Sequence, residues 1–189
     1  MSDITSIAAQ QRAFWNSEAT RRWVTEQARI DRIFAGVTNA ALTAAAPKPG
    51  ESVLDIGCGT GTTLLKLAEA VGPNGQALGV DISEQQLTLA RERIAGVAQA
   101  RVVLDDAGTH DFPPGGFDLA FTRFGVMFFA DPIAAFSNIR SAMKPGGRLL
   151  LTVFRPGSAR AAFEAFFKQH EGPDGVSLAG GLWLVSALT

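Results

Sequence analysis

The chain has 189 residues, of which 47% are hydrophobic and 19% charged, and its formal net charge is -1. This composition predicts a single globular domain and excludes a disordered chain, because apolar residues are plentiful enough to form a core. The nearly neutral charge gives no basic surface for nucleic acid or for an anionic membrane. With one cysteine, Cys58, and two histidines, the sequence predicts neither an internal disulfide framework nor a structural metal site.

The N-terminus carries Asp3 and polar residues, whereas a secretory signal needs a basic end followed by an apolar core. No apolar run reaches the length of a transmembrane helix, so we expect no membrane span. The single cysteine fits a reducing compartment. A cytoplasmic location is therefore the expectation.

The first part of the chain, residues 4–46, is predicted to form several short helices. Apolar side chains recur there at intervals of three, four and seven residues, which is typical of helices with one buried face. For Trp15 and Trp23 two interpretations stay open: they close over a ligand as part of an N-terminal lid, or they pack in the core. Pro47 and Pro49 end the region, because proline disfavours the helical conformation in the residue before it.

Beyond residue 50, predicted strands alternate with predicted helices. The strands are expected at 52–56, 77–81, 101–106, 117–122 and 148–154, with a last strand at 182–187. The helices are expected after the glycine-rich loop at 57–61, after Ser83, after Asp131 and at 159–170. This alternation predicts an α/β fold, a doubly wound and mostly parallel sheet that binds its ligand at the carboxyl ends of the strands.

Two of the predicted helices carry apolar stripes that are assigned to the core. Ser83 and Gln86 have the spacing of a capping box, and the stripe that follows it is Leu87, Ala90, Ile94 and Val97. Asp131 is expected to cap the next helix with Pro132 in its first turn, and the core-facing residues predicted there are Ile133, Phe136, Ile139 and Met143.

Acidic residues stand at the ends of three predicted strands, namely Asp55, Asp81 and the pair Asp105 and Asp106. Because the carboxyl ends of parallel strands meet at one edge of a sheet, these carboxylates are expected to converge. A strand-end aspartate can also simply cap the next helix. The expected convergence favours a ligand site over a set of separate caps.

Three glycines follow the first strand at alternate positions, Gly57, Gly59 and Gly61. Glycine permits positive φ and lets a ligand approach the backbone, and a helix that begins after such a loop favours an anionic group. The dinucleotide-binding fingerprint needs a glycine at its sixth position, where this chain has Thr62. Asp55 would also repel a pyrophosphate, whereas it could accept hydrogen bonds from an ammonium group. A nicotinamide-dependent reductase is therefore a disfavoured alternative.

Five segments of the chain resemble the motifs of class I S-adenosylmethionine-dependent methyltransferases, in the broad group of methyltransferase type 11 and ubiquinone/menaquinone-biosynthesis-like proteins. VLDIGCGTG resembles motif I, LGVDIS the segment whose acid holds the cofactor ribose, and LDDA the segment that contacts adenine. FDLAFTRFGVMFFADP and MKPGGRLLLTVF resemble the motifs of the fourth and fifth strands. Five motifs in this order are a specific signal, and they extend over nearly the whole chain up to residue 154.

The resemblance implies a Rossmann-like fold with S-adenosylmethionine as the cofactor. It makes residues 1–189 one methyltransferase domain, with a helical lid at 1–46, a cofactor-binding core at 52–154 and a shortened C-terminal part at 155–189. The methionine and ribose parts of the cofactor would be held by the glycine loop through Gly57, Cys58, Gly59 and Gly61. Asp55 would organise this loop and the methionine ammonium.

The next two strand ends supply the other cofactor contacts that the resemblance implies. Asp81 would accept hydrogen bonds from both ribose hydroxyls, and Ile82 would pack on the adenine face. Asp106 would accept from the adenine amino group, while the backbone N–H of Ala107 donates to the ring.

The implied reaction moves a methyl group from the sulfonium of the cofactor to a nucleophilic atom by in-line displacement. Thr122 and Arg123, where the fourth strand ends, would lie beside the methionine chain and the reacting centre. Because the cofactor is already activated, the protein contributes mainly proximity and alignment. No residue is identified as a general base, and Cys58, His110 and His170 are not expected to be catalytic.

Features that are absent narrow the acceptor class to a small, partly apolar molecule. Enzymes that methylate amino groups of nucleic acids carry an Asp/Asn-Pro-Pro-aromatic motif after the fourth strand, where this chain has TRFG. Covalent methylation of a base needs a free catalytic cysteine, and the one cysteine lies inside the glycine loop. The apolar run at 127–129 either lines a substrate pocket or belongs to the core.

The C-terminal part departs from the family, because relatives carry a longer segment between the fifth strand and the last strands. The acceptor pocket is therefore expected to be open or to be completed by another chain, either a second copy or a partner subunit. An S-adenosylmethionine-binding module with little activity alone is the main alternative to a complete enzyme.

Overall fold

A six-stranded sheet forms the centre of the computed structural model, which describes residues 4–154 and 182–188. The strands are β1 (Ser52–Ile56), β2 (Gln76–Asp81), β3 (Ala100–Leu104), β4 (Phe117–Arg123), β5 (Met143–Phe154) and β6 (Leu182–Leu188). Their order in the sheet is β3-β2-β1-β4-β5-β6, and all neighbours are parallel except β5 and β6. The doubly wound, mostly parallel sheet predicted from the sequence is confirmed, including its last strand.

The strand order brings the loops after β1 and β4 side by side. From β1 the chain steps outward to β2 and β3 and then returns to place β4 on the other side of β1. In the register, Asp55 of β1 lies between Gly79 of β2 and Phe121 of β4. Doubly wound sheets bind ligands at such a reversal of strand order, so the fold itself indicates where to look for a site.

Helices cover both faces of the sheet and bury two separate apolar clusters. The connecting helices are α5 (Thr62–Val71), α6 (Glu84–Arg93) and α7 (Pro132–Ala142). Val53 belongs to the cluster under α5, whereas Leu54 belongs to the cluster under α7. Successive residues of a strand point to opposite faces, so a strand that is apolar at both positions must be covered on both sides.

Helix α7 begins as predicted, and its predicted core residues are confirmed except for Ile133. The Asp131 carboxylate accepts from the Ala134 N–H at 3.0 Å, and Pro132 occupies the first turn. Ile133, predicted to face the core, is 83% exposed. Ile139 is buried, Phe136 packs against the core, and Met143 is buried at the start of β5. The buried residues are Ala135, Ile139 and Ala142. Ile133 and Ala135 are two positions apart, which is about 200° around a helix, so their side chains point in opposite directions. The small side chains of Ala135 and Ala142 let the helix lie close to the sheet.

Helix α6 is shorter than its apolar stripe suggested. Ser83 caps it through a 3.4 Å hydrogen bond from the Gln86 N–H, but the helix ends at Arg93. Val97 therefore lies in the turn that follows the helix, where it still packs against the core. The capping box is half formed, because the Ser83 N–H donates to Asp81 rather than to the Gln86 side chain.

The N-terminal region consists of short helices, as predicted: α1 (Ile4–Trp15), α2 (Arg22–Thr25), α3 (Gln27–Ile33) and α4 (Ala35–Ala45). Helix α4 packs on the sheet through Ala41 and Ala45. Residues 4–34, which we call the cap, lie over the carboxyl edge of the strands. The predicted helix at 159–170 falls outside the described residues. Within the described part of the chain, no helix combines the length and apolar character needed to span a membrane.

Candidate functional site

A cleft lies between the cap and the carboxyl edge of the sheet. It encloses about 1010 Å³, part of which is open to solvent. Eight of the residues predicted to bind a cofactor line it: Gly57, Cys58, Gly59, Asp81, Ile82, Asp106, Ala107 and Arg123. The strand ends thus converge as the parallel sheet requires, and the loops that follow them face one cleft.

The glycine loop of residues 57–61 touches the loop after β4 backbone to backbone. Gly57 has a φ of 69°, and a Cβ added there would lie 2.7 Å from the Cα of Gly125. A Cβ on Gly125 would in turn lie 2.6 Å from the carbonyl oxygen of Ile56. Both positions need glycine, because neither loop has room for a side chain. No local sequence pattern marks Gly125, because the need for glycine at this position comes from a contact between segments that are far apart in the chain.

Asp81 connects the glycine loop to the start of α6. One carboxylate oxygen accepts from the Gly59 N–H at 2.8 Å, and the other accepts from the Ser83 N–H at 2.9 Å. Burial raises the pKa of this carboxyl group above its ordinary value. These hydrogen bonds do not use all the lone pairs of the carboxylate, and Asp81 lines the cleft.

The acids after β3 have different partners. Asp105 accepts a 2.8 Å hydrogen bond from Nδ1 of His110, and this hydrogen bond lowers the pKa of Asp105. Arg12 of the cap lies 4.0 Å from the same carboxylate. The neighbouring Asp106 accepts from the Gly108 N–H at 2.8 Å, and Ala107 is 5% exposed. His110 therefore supports the loop after β3.

Three of the predicted residues do not line the cleft: Asp55, Gly61 and Thr122. Asp55 is fully buried and accepts from the Thr63 hydroxyl at 2.6 Å, and burial raises its pKa to about 7. Strand alternation explains this position, because Asp55 shares the face of Val53 beneath α5. A Cβ on Gly61 would lie 3.3 Å from the Ala90 side chain, so this glycine faces α6.

Thr122 shapes the turn after β4 instead of facing the cleft. It is fully buried, and its hydroxyl accepts from the Gly125 N–H at 3.2 Å. Between them, Phe124 adopts a φ of 74°, which is rare for a large side chain. The Phe124 ring stacks on Phe154 at 4.4 Å, and this packing holds the strained turn in place.

Aromatic rings form the side of the cleft that faces the cap. Trp15 and Trp23 both line the cleft, and their rings pack edge to face with centroids 6.1 Å apart. Trp15 also meets Phe128 of the loop after β4 at 5.0 Å. From the apolar run at 127–129, Phe128 and Phe129 line the cleft, whereas Met127 packs with the cap and with β5.

The cap is attached to the sheet edge through residues that the sequence analysis missed. The carboxylate of Asp31 accepts from the Thr62 hydroxyl at 2.7 Å, from Nη2 of Arg93 at 3.2 Å and from the amide of Gln27. Arg93 also donates to the Thr60 carbonyl at 2.7 Å. No local pattern marks this network, because Asp31 and Arg93 are 62 positions apart.

A second attachment lies beside Asp81, at the loop after β2. The Asn16 amide donates to the Ile82 carbonyl at 2.9 Å and accepts from the Glu84 N–H at 2.8 Å. The Trp15 carbonyl accepts from the Ser83 hydroxyl at 2.7 Å. On the cap side, the side-chain oxygen of Gln11 is buried in the cleft wall and has no partner among the described residues.

Arg123 is the cationic side chain of the described cleft wall. It donates to the Thr38 hydroxyl at 2.6 Å, and its guanidinium lies 5.7 Å above the centre of the Phe34 ring. Burial lowers the pKa of Arg123. Within the part of the chain that the structure describes, no carboxylate forms a direct ion pair with it.

The described residues contain no cluster of histidine, cysteine, aspartate and glutamate side chains that could hold a metal ion. Cys58 is a buried free thiol, and burial raises its pKa well above the ordinary value. A thiol of this kind is a poor nucleophile, because the thiolate is the reactive form. The cleft therefore offers carboxylates, backbone N–H groups, one guanidinium and aromatic rings as its binding groups.

Comparison with known proteins relates the chain to methyltransferases. A family model described as a methyltransferase domain matches residues 53–147. The chain is 35% identical to nocamycin O-methyltransferase from Saccharothrix syringae, over 63% of this chain and 43% of that protein. It is 37% identical to aklanonic acid methyltransferase from Streptomyces sp. (strain C5), over 59% of this chain and 53% of that protein. The chain thus spans about half the length of these curated relatives.

Among solved structures, the chain resembles phosphoethanolamine N-methyltransferase 2 from Haemonchus contortus in complex with S-adenosyl-L-methionine. The two are 29% identical with a TM-score of 0.67, and the match covers 76% of this chain and 35% of that one. The similarity in sequence and the similarity in fold therefore agree.

Proposed function

This chain belongs to the class I S-adenosylmethionine-dependent methyltransferases, whose cofactor is S-adenosylmethionine, and we propose that it transfers a methyl group from that cofactor to a small-molecule acceptor. The observation that carries the proposal is the Asp81 carboxylate at the end of β2. Each of its oxygens accepts from a backbone N–H, and the carboxylate, which lines the cleft, retains lone pairs that suit two neighbouring ribose hydroxyls. Ile82 and Ala107 line the same cleft and offer apolar surface for an adenine ring.

In the reaction, the role of this protein is to bind the cofactor and the acceptor, to align them and to exclude water. When bound, S-adenosylmethionine supplies a methyl group already activated on a sulfonium. The rings of Trp15 and Phe128 close the cap over the strand edge and would keep water from the acceptor. None of the described residues that line the cleft is a histidine or a lysine, and we assign no general base.

The acceptor we propose is a small, partly apolar molecule. The aromatic side of the cleft, with Trp23, Phe128 and Phe129, supports this class, as do the small-molecule names of the two curated relatives. We also propose that a second copy or a partner subunit completes the acceptor pocket. The same proposal includes a cytoplasmic location, which the buried free thiol of Cys58 supports.

Titration calorimetry with S-adenosylhomocysteine and with NAD tests the cofactor site. We expect the first to bind and the second not to bind. Asp81→Ala should weaken the binding by about 30-fold or more, since it removes hydrogen bonds to a charged group. Asp118→Ala is the matched control, because Asp118 is the second residue of β4, at the opposite edge of the sheet, and pairs with Lys144. Unchanged affinity in Asp81→Ala would refute the assigned ribose contact.

Transfer of a labelled methyl group from S-adenosylmethionine to a metabolite extract tests the activity. A labelled small molecule that disappears in Asp81→Ala would support the enzyme. Cofactor binding without a labelled product in any extract would instead favour the binding module that depends on another chain.

A further inference from the structure

Two oppositely charged side chains face the cleft from its two sides without pairing with each other. Asp31 extends from α3 in the cap, and Arg123 stands at the end of β4. Both side chains line the same cleft. They nevertheless form no direct ion pair. An opening flanked by one cation and one anion suits a ligand that itself carries both charges.

Arg123 has donors left for a ligand. A guanidinium has five N–H groups, and the Thr38 hydroxyl accepts a hydrogen bond from Nη1. The Phe34 ring covers one face of the guanidinium, which leaves its edge for a planar anion. A buried cation without a carboxylate partner is costly, so a bound carboxylate would relieve a cost that the protein alone bears.

Asp31 also has capacity left for a ligand. Its Oδ2 accepts from Arg93 and from the Gln27 amide. Its Oδ1 shares a single hydroxyl proton from Thr62 and retains lone pairs. The Asp31 side chain is 20% exposed and lines the cleft, so an ammonium group could reach it. Asp55, the acid expected to take this role, is sealed beneath α5 behind Thr63.

We propose that Asp31 and Arg123 form a zwitterion clamp, in which Arg123 binds the carboxylate and Asp31 binds the ammonium of the methionine end of the cofactor. The inference rests on the proposed function and names two residues that hold one end of its cofactor. Since Asp31 belongs to the cap, the bound ammonium would also hold the cap against the strand edge. Cofactor binding and closure of the cleft then become one event.

The clamp predicts that variants will distinguish ligands by their charged groups. Four probes measured by calorimetry suffice: S-adenosylhomocysteine, its deamino analogue, decarboxylated S-adenosylmethionine, and 5′-methylthioadenosine, which lacks both groups. Arg123→Gln should lower the affinity for S-adenosylhomocysteine and for its deamino analogue by about 10-fold to 100-fold, because each ligand loses charge-assisted hydrogen bonds to its carboxylate. The affinities for the other two probes, which lack the carboxylate, should stay within about twofold of the wild-type values.

Asp31→Asn should show the complementary pattern. We expect a loss of about 10-fold or more for the two probes that keep the ammonium, S-adenosylhomocysteine and decarboxylated S-adenosylmethionine. The deamino analogue and 5′-methylthioadenosine should bind within about twofold of wild type. Arg93→Gln is the matched control for a structural effect, because Arg93 touches Asp31 and does not line the cleft. Arg93→Gln should lower the affinities for all four probes by a similar factor.

The outcomes separate the clamp from the proposed function. If the wild type binds neither S-adenosylhomocysteine nor 5′-methylthioadenosine, the proposed function fails and the clamp fails with it. If the wild type binds both with the same affinity, the clamp alone is refuted. If Arg123→Gln or Asp31→Asn weakens 5′-methylthioadenosine as much as S-adenosylhomocysteine, the residue supports the fold and the clamp is refuted for it.

Discussion

The two sides of the cleft are built from different kinds of interaction. On the strand-edge side, backbone meets backbone at Gly57 and Gly125, and the Asp81 carboxylate holds backbone N–H groups. On the cap side, side chains far apart in sequence meet, such as Asp31 and Arg93. Close backbone contacts leave no alternative arrangement, whereas side-chain contacts can open one at a time. Close backbone packing therefore holds the strand edge, whereas separate side-chain contacts hold the cap.

The largest effect is expected from Gly57→Ala on the strand-edge side. The new Cβ would lie 2.7 Å from the Cα of Gly125, at a φ of 69° that alanine adopts poorly. We expect a loss of about 3 kcal/mol or more in the free energy of unfolding, because strain and a backbone clash add together. Urea unfolding measures this loss, and calorimetry should show that S-adenosylhomocysteine binding falls with it.

Gly50→Ala is the matched control for backbone strain alone. Gly50 has a φ of 83°, and a Cβ there would meet nothing within 4 Å. It should cost only about 1 to 2 kcal/mol and leave ligand binding unchanged. Equal losses for the two variants would mean that the close approach of the two loops adds nothing to stability.

A second effect on the strand-edge side concerns the pH dependence of stability. Burial raises the pKa of Asp55 to about 7, whereas an unfolded chain has its ordinary value of 3.8. Between these values the unfolded state loses a proton that the folded state keeps, so stability falls as the pH rises and then levels off above about 7. Asp55→Asn removes this contribution. Compared with the variant, the wild type should lose up to about 1.4 kcal/mol per pH unit between pH 5 and 7.

Urea unfolding of both proteins across this pH range checks the prediction. Glu51→Gln is a useful control, because the hydrogen bond from Arg148 lowers the pKa of Glu51 below its ordinary value of 4.5. The stability that Glu51 contributes is present above that value and is lost only as the pH falls further. The difference in the free energy of unfolding between wild type and Glu51→Gln should therefore stay constant between pH 5 and 7. A flat difference for Asp55→Asn as well would show that water reaches Asp55 in the folded protein.

The contrast between the two sides also explains what the sequence could predict. Asp81 and Asp106 lie where strand periodicity and parallel pairing put them, because both rules act within short segments. Asp55 obeys the same periodicity, but its place under α5 became visible only once the helix that covers it was known. Asp31 and Gly125 owe their roles to contacts between segments far apart, and no local pattern records such contacts.

Helix α7 shows the same limit in the core. The apolar pattern predicts Ile133 and Ile139 on one buried face, whereas the structure buries Ile139 with Ala135 and Ala142 and leaves Ile133 exposed. Periodicity identifies that a helix has a buried face, but the distance between helix and sheet decides which face fits.

A smaller effect is expected from Arg93→Gln, which removes a cap contact. Arg93 and Asp31 have side chains that are 22% and 20% exposed, so solvent screens their interaction only in part. We expect a loss of about 1 to 3 kcal/mol in the free energy of unfolding. Hydrogen exchange should become faster in the cap, while β1 and β4 keep their protection.

Arg91→Gln is the matched control on the same helix. Arg91 pairs with Glu84 at 2.7 Å, but these side chains are 44% and 51% exposed. The substitution should cost less than about 0.5 kcal/mol and leave the cap unchanged. If exchange in β1 and β4 rises as much as in the cap for Arg93→Gln, the two sides open together and the contrast between them is wrong.

The smallest effect is expected from Arg12→Gln, at the outer end of the cap. Arg12 lies 4.0 Å from Asp105, both side chains are more than 40% exposed, and Asp105 already accepts from His110 at 2.8 Å. We expect a change below about 0.5 kcal/mol, and cap exchange that varies little with salt. Nearby, the cap is held by the two hydrogen bonds of Asn16, which salt screens far less. If Arg12→Gln loosened the cap as much as Arg93→Gln, surface charge would hold the cover closed, and high salt would then open it.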